Sequence, residues 1–264
     1  MKQSLVMVFL VAVLAFGLPL ANAQDEYDPS KIAWTCPEGF EGQTLSVYNW
    51  ATYIGSNTIR TFEELCSVKV VYDVYDNNEA MVARLRQGNP GYDIAFPNDY
   101  IIPLMIRESL IEAVDVSRIP NIANVADSWR NMAFDPDNAY TVPYMWGTAG
   151  IAYNVNRVVT PPQTWMDFFT YEGKVAWIND SRTMMSVALN TIGHDPNSIN
   201  PDDIAAARDF LVEHAENVIA VASDDGQALL ERGEVDMVIE YGGDIFQLAI
   251  DCECDDYAYL LPED

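Results

Sequence analysis

Tyr140-Thr141-Val142-Pro143-Tyr144-Met145-Trp146-Gly147-Thr148-Ala149-Gly150 reads as one extended segment, and its small residues Gly147, Ala149 and Gly150 suit a strand crossing closely packed backbone, as a link between two lobes must. Directly before it, Phe134-Asp135-Pro136-Asp137-Asn138 reads as a turn. Asp135 and Asp137 are spaced like the opening of a calcium loop, but Ala139 and Tyr140 stand where such a loop needs a ligand and its glycine. On either side of this crossing, strand-like runs alternate with helix-like ones. Upstream, strands are expected at 45–50, 68–75, 92–96 and 111–114, with helices at 56–65, 78–87 (where Gly88 can stop it) and 102–109. Downstream, strands are expected at 174–178, 218–221 and 235–239. The intervening helices cover 182–191, a segment opened by Pro201 with Asp202 and Asp203 in its first turn, 227–232 and 245–250. Such interleaving predicts parallel α/β sheets. With no internal repeat and no low-complexity linker, it gives two α/β lobes sharing a cleft: residues 24–147 and 148–264, joined through Met145 to Gly147.

The first residues indicate export. Lys2 precedes the apolar run 5–16, and Ala21-Asn22-Ala23 is an A-x-A cleavage site, so 1–23 reads as a signal peptide leading to the periplasm. The run is short of the roughly 20 residues that span a bilayer. The chain has 14 basic and 40 acidic residues, a formal net charge of -26. Such a surface repels nucleic acid and anionic membranes and tolerates a cationic ligand, and it equally suits a salty habitat. Cys36, Cys66, Cys252 and Cys254 allow three pairings in a compartment where disulfides persist. With only His194 and His214 elsewhere, Cys252-Glu253-Cys254 makes no plausible zinc set, so no metal or cofactor is expected.

Ligands of open α/β sheets bind beyond the carboxyl ends of the strands. Trp50 with Tyr53, and Asn98 with Tyr100, follow two such ends; Asp180, and Tyr241 with Asp244, follow two others. A cleft of Trp50, Tyr53, Tyr100, Tyr144, Trp146, Tyr241, Asp180 and Asp244 suits a polyamine. Each ammonium finds a carboxylate and a ring face, and flat rings sandwich the methylenes between the charges. Singly, each aromatic fits a core position equally well and each acid a helix cap; the set and its placement carry the argument.

Tyr48-Asn49-Trp50-Ala51-Thr52-Tyr53-Ile54, Tyr75-Asp76-Asn77-Asn78-Glu79, Gly91-Tyr92-Asp93-Ile94-Ala95-Phe96-Pro97, and 134–147 stand in the order found in the bacterial spermidine/putrescine-binding proteins of ABC transporters, which the chain resembles from about Leu45 onward. The resemblance implies a two-lobed periplasmic-binding-protein fold, capture of putrescine or spermidine, a membrane permease as partner and a monomeric state. It implies that Trp50 and Tyr53 form an aromatic wall, that Tyr100 reaches the ligand from the same lobe, and that Asp180 is the second lobe's carboxylate. Asn98 replaces a usual serine, Thr183 falls where a glutamate is common, and Tyr241 stands where a tryptophan is usual. Asp244 matches the putrescine-type branch, and Gly147 the first hinge crossing. Family members continue past the position of Asp264 to recross the hinge, so the chain is expected to be a fragment or a curtailed relative.

Two other readings compete. One is the same scaffold holding another small organic cation or amino compound, kept open by Thr183 and Tyr241. The other is an enzyme using Asp180 and Asp244 as paired acids, which needs one carboxyl of raised pKa. No nucleophile motif accompanies His194 or His214, so no enzyme is expected.

Overall fold

The computed structural model describes residues 32–88, 90–223 and 225–262, so the segment read as a signal peptide lies outside the described residues. Among the described residues no helix is long and apolar enough to cross a membrane.

Two separate sheets form. The first holds β1 (Thr44–Asn49), β2 (Lys69–Val74) and β3 (Ile94–Ala95) in the order β2-β1-β3, all parallel. Helix α1 (Thr58–Cys66) links β1 to β2, α2 (Asn78–Leu85) links β2 to β3, and α3 (Ile102–Arg107) follows β3. Asn77 caps α2 by accepting the Ala80 amide at 2.8 Å. Helix α2 then buries Met81 and Val82 against Tyr48, Trp50, Tyr75 and Met105. This core is largely aromatic: Tyr48 stacks on Tyr92 at 4.2 Å and meets the edge of Tyr75 at 4.8 Å.

The second sheet holds β4 (Ala149–Asn154), β5 (Val175–Ile178), β6 (Val218–Ala222), β7 (Met237–Tyr241) and β8 (Tyr257–Leu260) in the order β6-β5-β7-β4-β8. Successive residues of its central strands feed different cores. Met237 and Ile239 join Val175, Phe168 and Phe210 on one face, and Val238 joins Ala176, Leu230 and Ile245 on the other. A strand covered on both faces reads as a continuous apolar run rather than an alternation, as Met237-Val238-Ile239 does here. On the first face lie α4 (Trp165–Phe169), α5 (Ser181–Thr191) and α6 (Pro201–Glu213); α7 (Gly226–Glu231) and α8 (Gly242–Cys252) lie on the second.

Three expectations need correction. The second sheet is mixed, because β4 runs antiparallel to β7 and β8. Ala149 leaves the crossing segment opposite Tyr241, the last residue of β7, so β4 can only run back toward that strand's start. Residues 111–114 form no strand; an isolated bond from the Val114 amide to the Ala139 carbonyl at 2.8 Å takes its place. Pro120 and Pro136 then help hold 116–138 in short 3-10 turns, which present no continuous edge for pairing. Strand β8 was not anticipated.

The crossing itself follows 141–148 without regular structure. Of its small residues, Gly150 is the one under steric constraint: a Cβ there would stand 2.5 Å from the Leu260 carbonyl oxygen, whereas Gly147 has nothing within 4 Å. Gly150→Ala is therefore expected to cost about 1–3 kcal/mol by overpacking. Gly147→Ala should be near neutral in the same urea titration.

Cys36 pairs with Cys66 across 30 residues, and Cys252 with Cys254 across two. Loop-closure entropy makes the first bridge worth roughly 3–4 kcal/mol and the second less than half of that. Replacing each pair by serine and comparing the shifts in urea midpoint measures the difference.

Candidate functional site

Parallel strands deliver the candidate residues. Strand β1 ends at Asn49 and leads into Trp50, Thr52 and Tyr53, and β3 ends at Ala95 just before Asn98 and Tyr100. In the other sheet β5 ends at Ile178 before Asp180, and β7 ends at Tyr241, three residues before Asp244. These ends meet between the two sheets. Thr52 donates its hydroxyl to Asp244 Oδ1 at 2.8 Å, a hydrogen bond linking residues 192 positions apart. The structure thereby brings Asn98, Tyr100, Asp180, Tyr241 and Asp244 to one interface, with Tyr53 beside Tyr241.

Asp244 lies in the first turn of α8, where the helix dipole favours an anion. It is 7% exposed, and its Oδ2 has no hydrogen-bond partner among the described residues. Burial raises its pKa above the usual carboxylate range, only partly opposed by the Thr52 hydroxyl and the helix backbone. Asp180 is 3% exposed and caps α5, accepting the Thr183 amide at 2.7 Å on Oδ1, while Oδ2 lies 3.5 Å from the Tyr241 hydroxyl. Its duty as a helix cap and its place at the interface thus coexist.

The two tyrosines join the carboxylates. Burial, and then the negative charge of Asp180, push the Tyr241 hydroxyl far above its ordinary value, while hydrogen bonds with Thr183 and Asn98 pull the other way. Tyr100 is pushed up in the same way by burial, Asp180 and Glu79. Its oxygen accepts from Asn78 Nδ2 at 3.1 Å, and its hydroxyl lies 3.5 Å from Glu79 Oε1. The buried Asn78 also accepts the Asn98 amide at 3.0 Å, tying the β3 loop to α2.

A cavity of about 700 Å³ opens here, lined among others by Asn98, Tyr100, Phe134, Arg182, Thr183 and Tyr241. Asp99 and Arg182 are its charged lining residues; Asp180 and Asp244 are not part of that lining. Trp50 is likewise outside the lining. It is 4% exposed, donates Nε1 to the Phe96 carbonyl at 2.9 Å, and packs against Tyr53 and Tyr75 at 5.8 and 4.7 Å. Tyr144 donates its hydroxyl to the Tyr53 carbonyl at 2.6 Å. Trp146 is directed elsewhere: it stacks on Trp129 at 5.3 Å and stays 66% exposed.

Sequence reasoning passed over Thr52, Asn78, Glu79, Asp99 and Arg182. Thr52 and Glu79 lay within the quoted blocks, but a threonine and a first-turn acid carry no signal of their own until a partner comes into view.

Because the folded chain holds the Asp244 proton more tightly than the unfolded chain, this group favours folding below the ordinary carboxylate range. It turns against folding as the pH rises through its raised value. The stability difference between Asp244→Asn and the parent, both ligand-free, is therefore expected to move in the variant's favour between pH 4 and pH 7. Urea denaturation at several pH values measures it.

Among known proteins, the family of bacterial extracellular solute-binding proteins matches residues 57–264. The chain is 31% identical over 237 residues to the spermidine/putrescine-binding periplasmic protein of Escherichia coli (strain K12), covering 88% of this chain and 64% of the relative. To a putrescine-binding periplasmic protein of Pseudomonas aeruginosa (strain UCBPP-PA14) it is 31% identical over 222 residues, covering 78% and 60%. The chain thus spans less than two thirds of the length of either relative. The crystal structure of a spermidine/putrescine ABC transporter substrate-binding protein from Streptococcus pneumoniae superposes with a TM-score of 0.66 at 31% identity, covering 84% of this chain and 68% of that one.

Proposed function

The chain belongs to the bacterial extracellular solute-binding proteins, and from that premise we propose that it captures a polyamine, putrescine or spermidine, in the periplasm and hands it to the permease of an ABC uptake transporter. The observation that carries the proposal is the buried Oδ2 of Asp244, which has no hydrogen-bond partner among the described residues. A carboxylate withdrawn from water is costly until a cation joins it. A primary ammonium has the charge and the donors to do so, beside the rings of Tyr53 and Tyr241.

In this proposal the ligand site comprises Trp50, Tyr53, Asn98, Tyr100, Asp180, Tyr241 and Asp244, with Trp50 backing Tyr53 from the core. The lobes divide at Gly147, with residues 24–147 forming the first and 148–264 the second, and the protein acts as a monomer. The raised pKa of Asp244 is also one condition for an acid catalyst. The cap that Asp180 forms on α5 gives a structural account of the second acid, and the names of the relatives describe binding proteins. A second reading draws support from Arg182 in the cavity lining: the same cleft holding an amino compound whose far end is neutral or anionic.

Asp244→Asn tests the proposal. Breaking a buried, hydrogen-bonded charge pair costs about 2–5 kcal/mol, or roughly a 30- to 4,000-fold loss of putrescine affinity by calorimetry at 1.4 kcal/mol per factor of ten. A salt-screened change within about threefold identifies Asp244 as a general field charge and rejects the assignment.

A further inference from the structure

The crossing segment ends at Thr148, and the carbonyl of that residue accepts two hydrogen bonds. One comes from the Gly242 amide at 2.9 Å, the other from the Tyr259 hydroxyl at 2.6 Å. Gly242 is the first residue of α8, and the first amides of a helix have no partner within it. The cap residue Tyr241 offers no side-chain bond to this turn, and the crossing's carbonyl supplies a partner instead. Asp244 stands two residues further along the same turn.

Tyr259, on β8, reaches this point through space that two glycines leave open. A Cβ on Gly150 would stand 2.7 Å from its Cζ, and one on Gly242 would stand 3.1 Å from its Cε1. The ring thus lies against both the start of β4 and the start of α8. Its hydroxyl has one proton, which goes to the Thr148 carbonyl, and the Thr148 hydroxyl, 3.1 Å away, donates back to the same oxygen. Ordinary packing accounts for part of this, since the ring packs against the cluster of Val238 and Ile245 and a buried phenol needs a partner for its hydroxyl. Packing alone does not account for the partner chosen, a carbonyl that already joins the crossing to α8.

We infer that Tyr259 is a positioning residue for the binding site: by holding the Thr148 carbonyl it fixes the end of the crossing to the first turn of α8, and so sets where Asp244 stands opposite Thr52 of the first lobe. This rests on the proposed polyamine reading and deepens it. The crossing joins the two sheets, so the way it meets α8 decides whether the Thr52–Asp244 bond of 2.8 Å can form. Loss of the Tyr259 hydroxyl leaves the ring and both glycine contacts in place but frees the crossing from α8. A smaller fraction of molecules then holds the binding arrangement, and the apparent affinity falls by that fraction.

The test compares Tyr259→Phe with the parent by urea denaturation, by putrescine titration followed with NMR so that millimolar binding is measurable, and, without ligand, by carboxyl-carbon NMR of Asp244. Putrescine should weaken about fivefold, the size of one neutral hydrogen bond. The same substitution made in Asp244→Asn should change affinity less than about twofold, because the group it positions is already lost. Burial holds the Asp244 carboxyl above the usual range. In ligand-free Tyr259→Phe it should titrate about half a pH unit lower, roughly a threefold change in its ionisation constant, as water reaches the loosened turn. Thr148→Val, which removes only the bond returned to the Tyr259 oxygen, should move affinity and titration in the same direction by a smaller factor. A hydroxyl that serves stability alone lowers the urea midpoint, leaves putrescine affinity within about twofold and leaves the Asp244 titration where it was, which overturns the inference. Equal weakening in the Asp244→Asn background overturns it as well. Failure of the parent to bind putrescine or spermidine rejects the polyamine proposal, while the ligand-free titration still decides whether Tyr259 positions Asp244.

Discussion

A carboxylate held out of water with one oxygen unpaired is the constraint on which the arrangement of this protein depends. Burying an ion costs several kcal/mol unless its charge and lone pairs are met. Asp244 meets part of that cost through the amino end of α8 and through one hydroxyl, and the hydroxyl belongs to the other lobe. The same contact that makes the burial tolerable also ties the two sheets together. In the proposed function, stability and binding draw on this one group in opposite directions, because a bound cation supplies the charge partner that Asp244 Oδ2 lacks among the described residues.

The rest of the fold supports that position. Tyr241 ends a strand buried on both faces, and α8 starts at the next residue, so Asp244 is carried on a rigid corner of the second sheet. Asp180 is fixed equally well by its bond to the Thr183 amide. The first sheet is thinner and holds its side of the cleft with rings: Trp50 and the Tyr75 hydroxyl both donate to the Phe96 carbonyl, and Trp50 in turn supports Tyr53. Aromatic rings serve here more as scaffolding than as exposed walls. The large negative charge of the chain enters only as background, because Asp99 and Arg182, the charged residues of the cavity lining, carry opposite signs.

Much of this could be read from the chain without coordinates. Alternation of apolar strands with capped helices is a local property, so the α/β class, the helices of both halves apart from the short α4, and the extended crossing were legible, and so was the placement of candidate residues after strand ends. The resemblance carried by four ordered blocks named the family that the comparisons show. What escaped was whatever depends on a partner distant in sequence. The direction of β4 is set by where the crossing segment delivers it beside β7, and β8 exists because β4 offers it an edge. Residues 111–114 have the composition of a strand and no strand to pair with. Cys36–Cys66 was one of three open pairings until α1 brought its thiol into place. Thr52 and Glu79 were quoted within their blocks but given no role, because a hydroxyl and an exposed acid acquire meaning only from what lies opposite. By itself the sequence determined which groups stand at the ends of the strands; the tertiary structure alone decided which of them face each other, since hydrogen bonds and buried charges act over a few ångströms of space that separation along the chain does not measure.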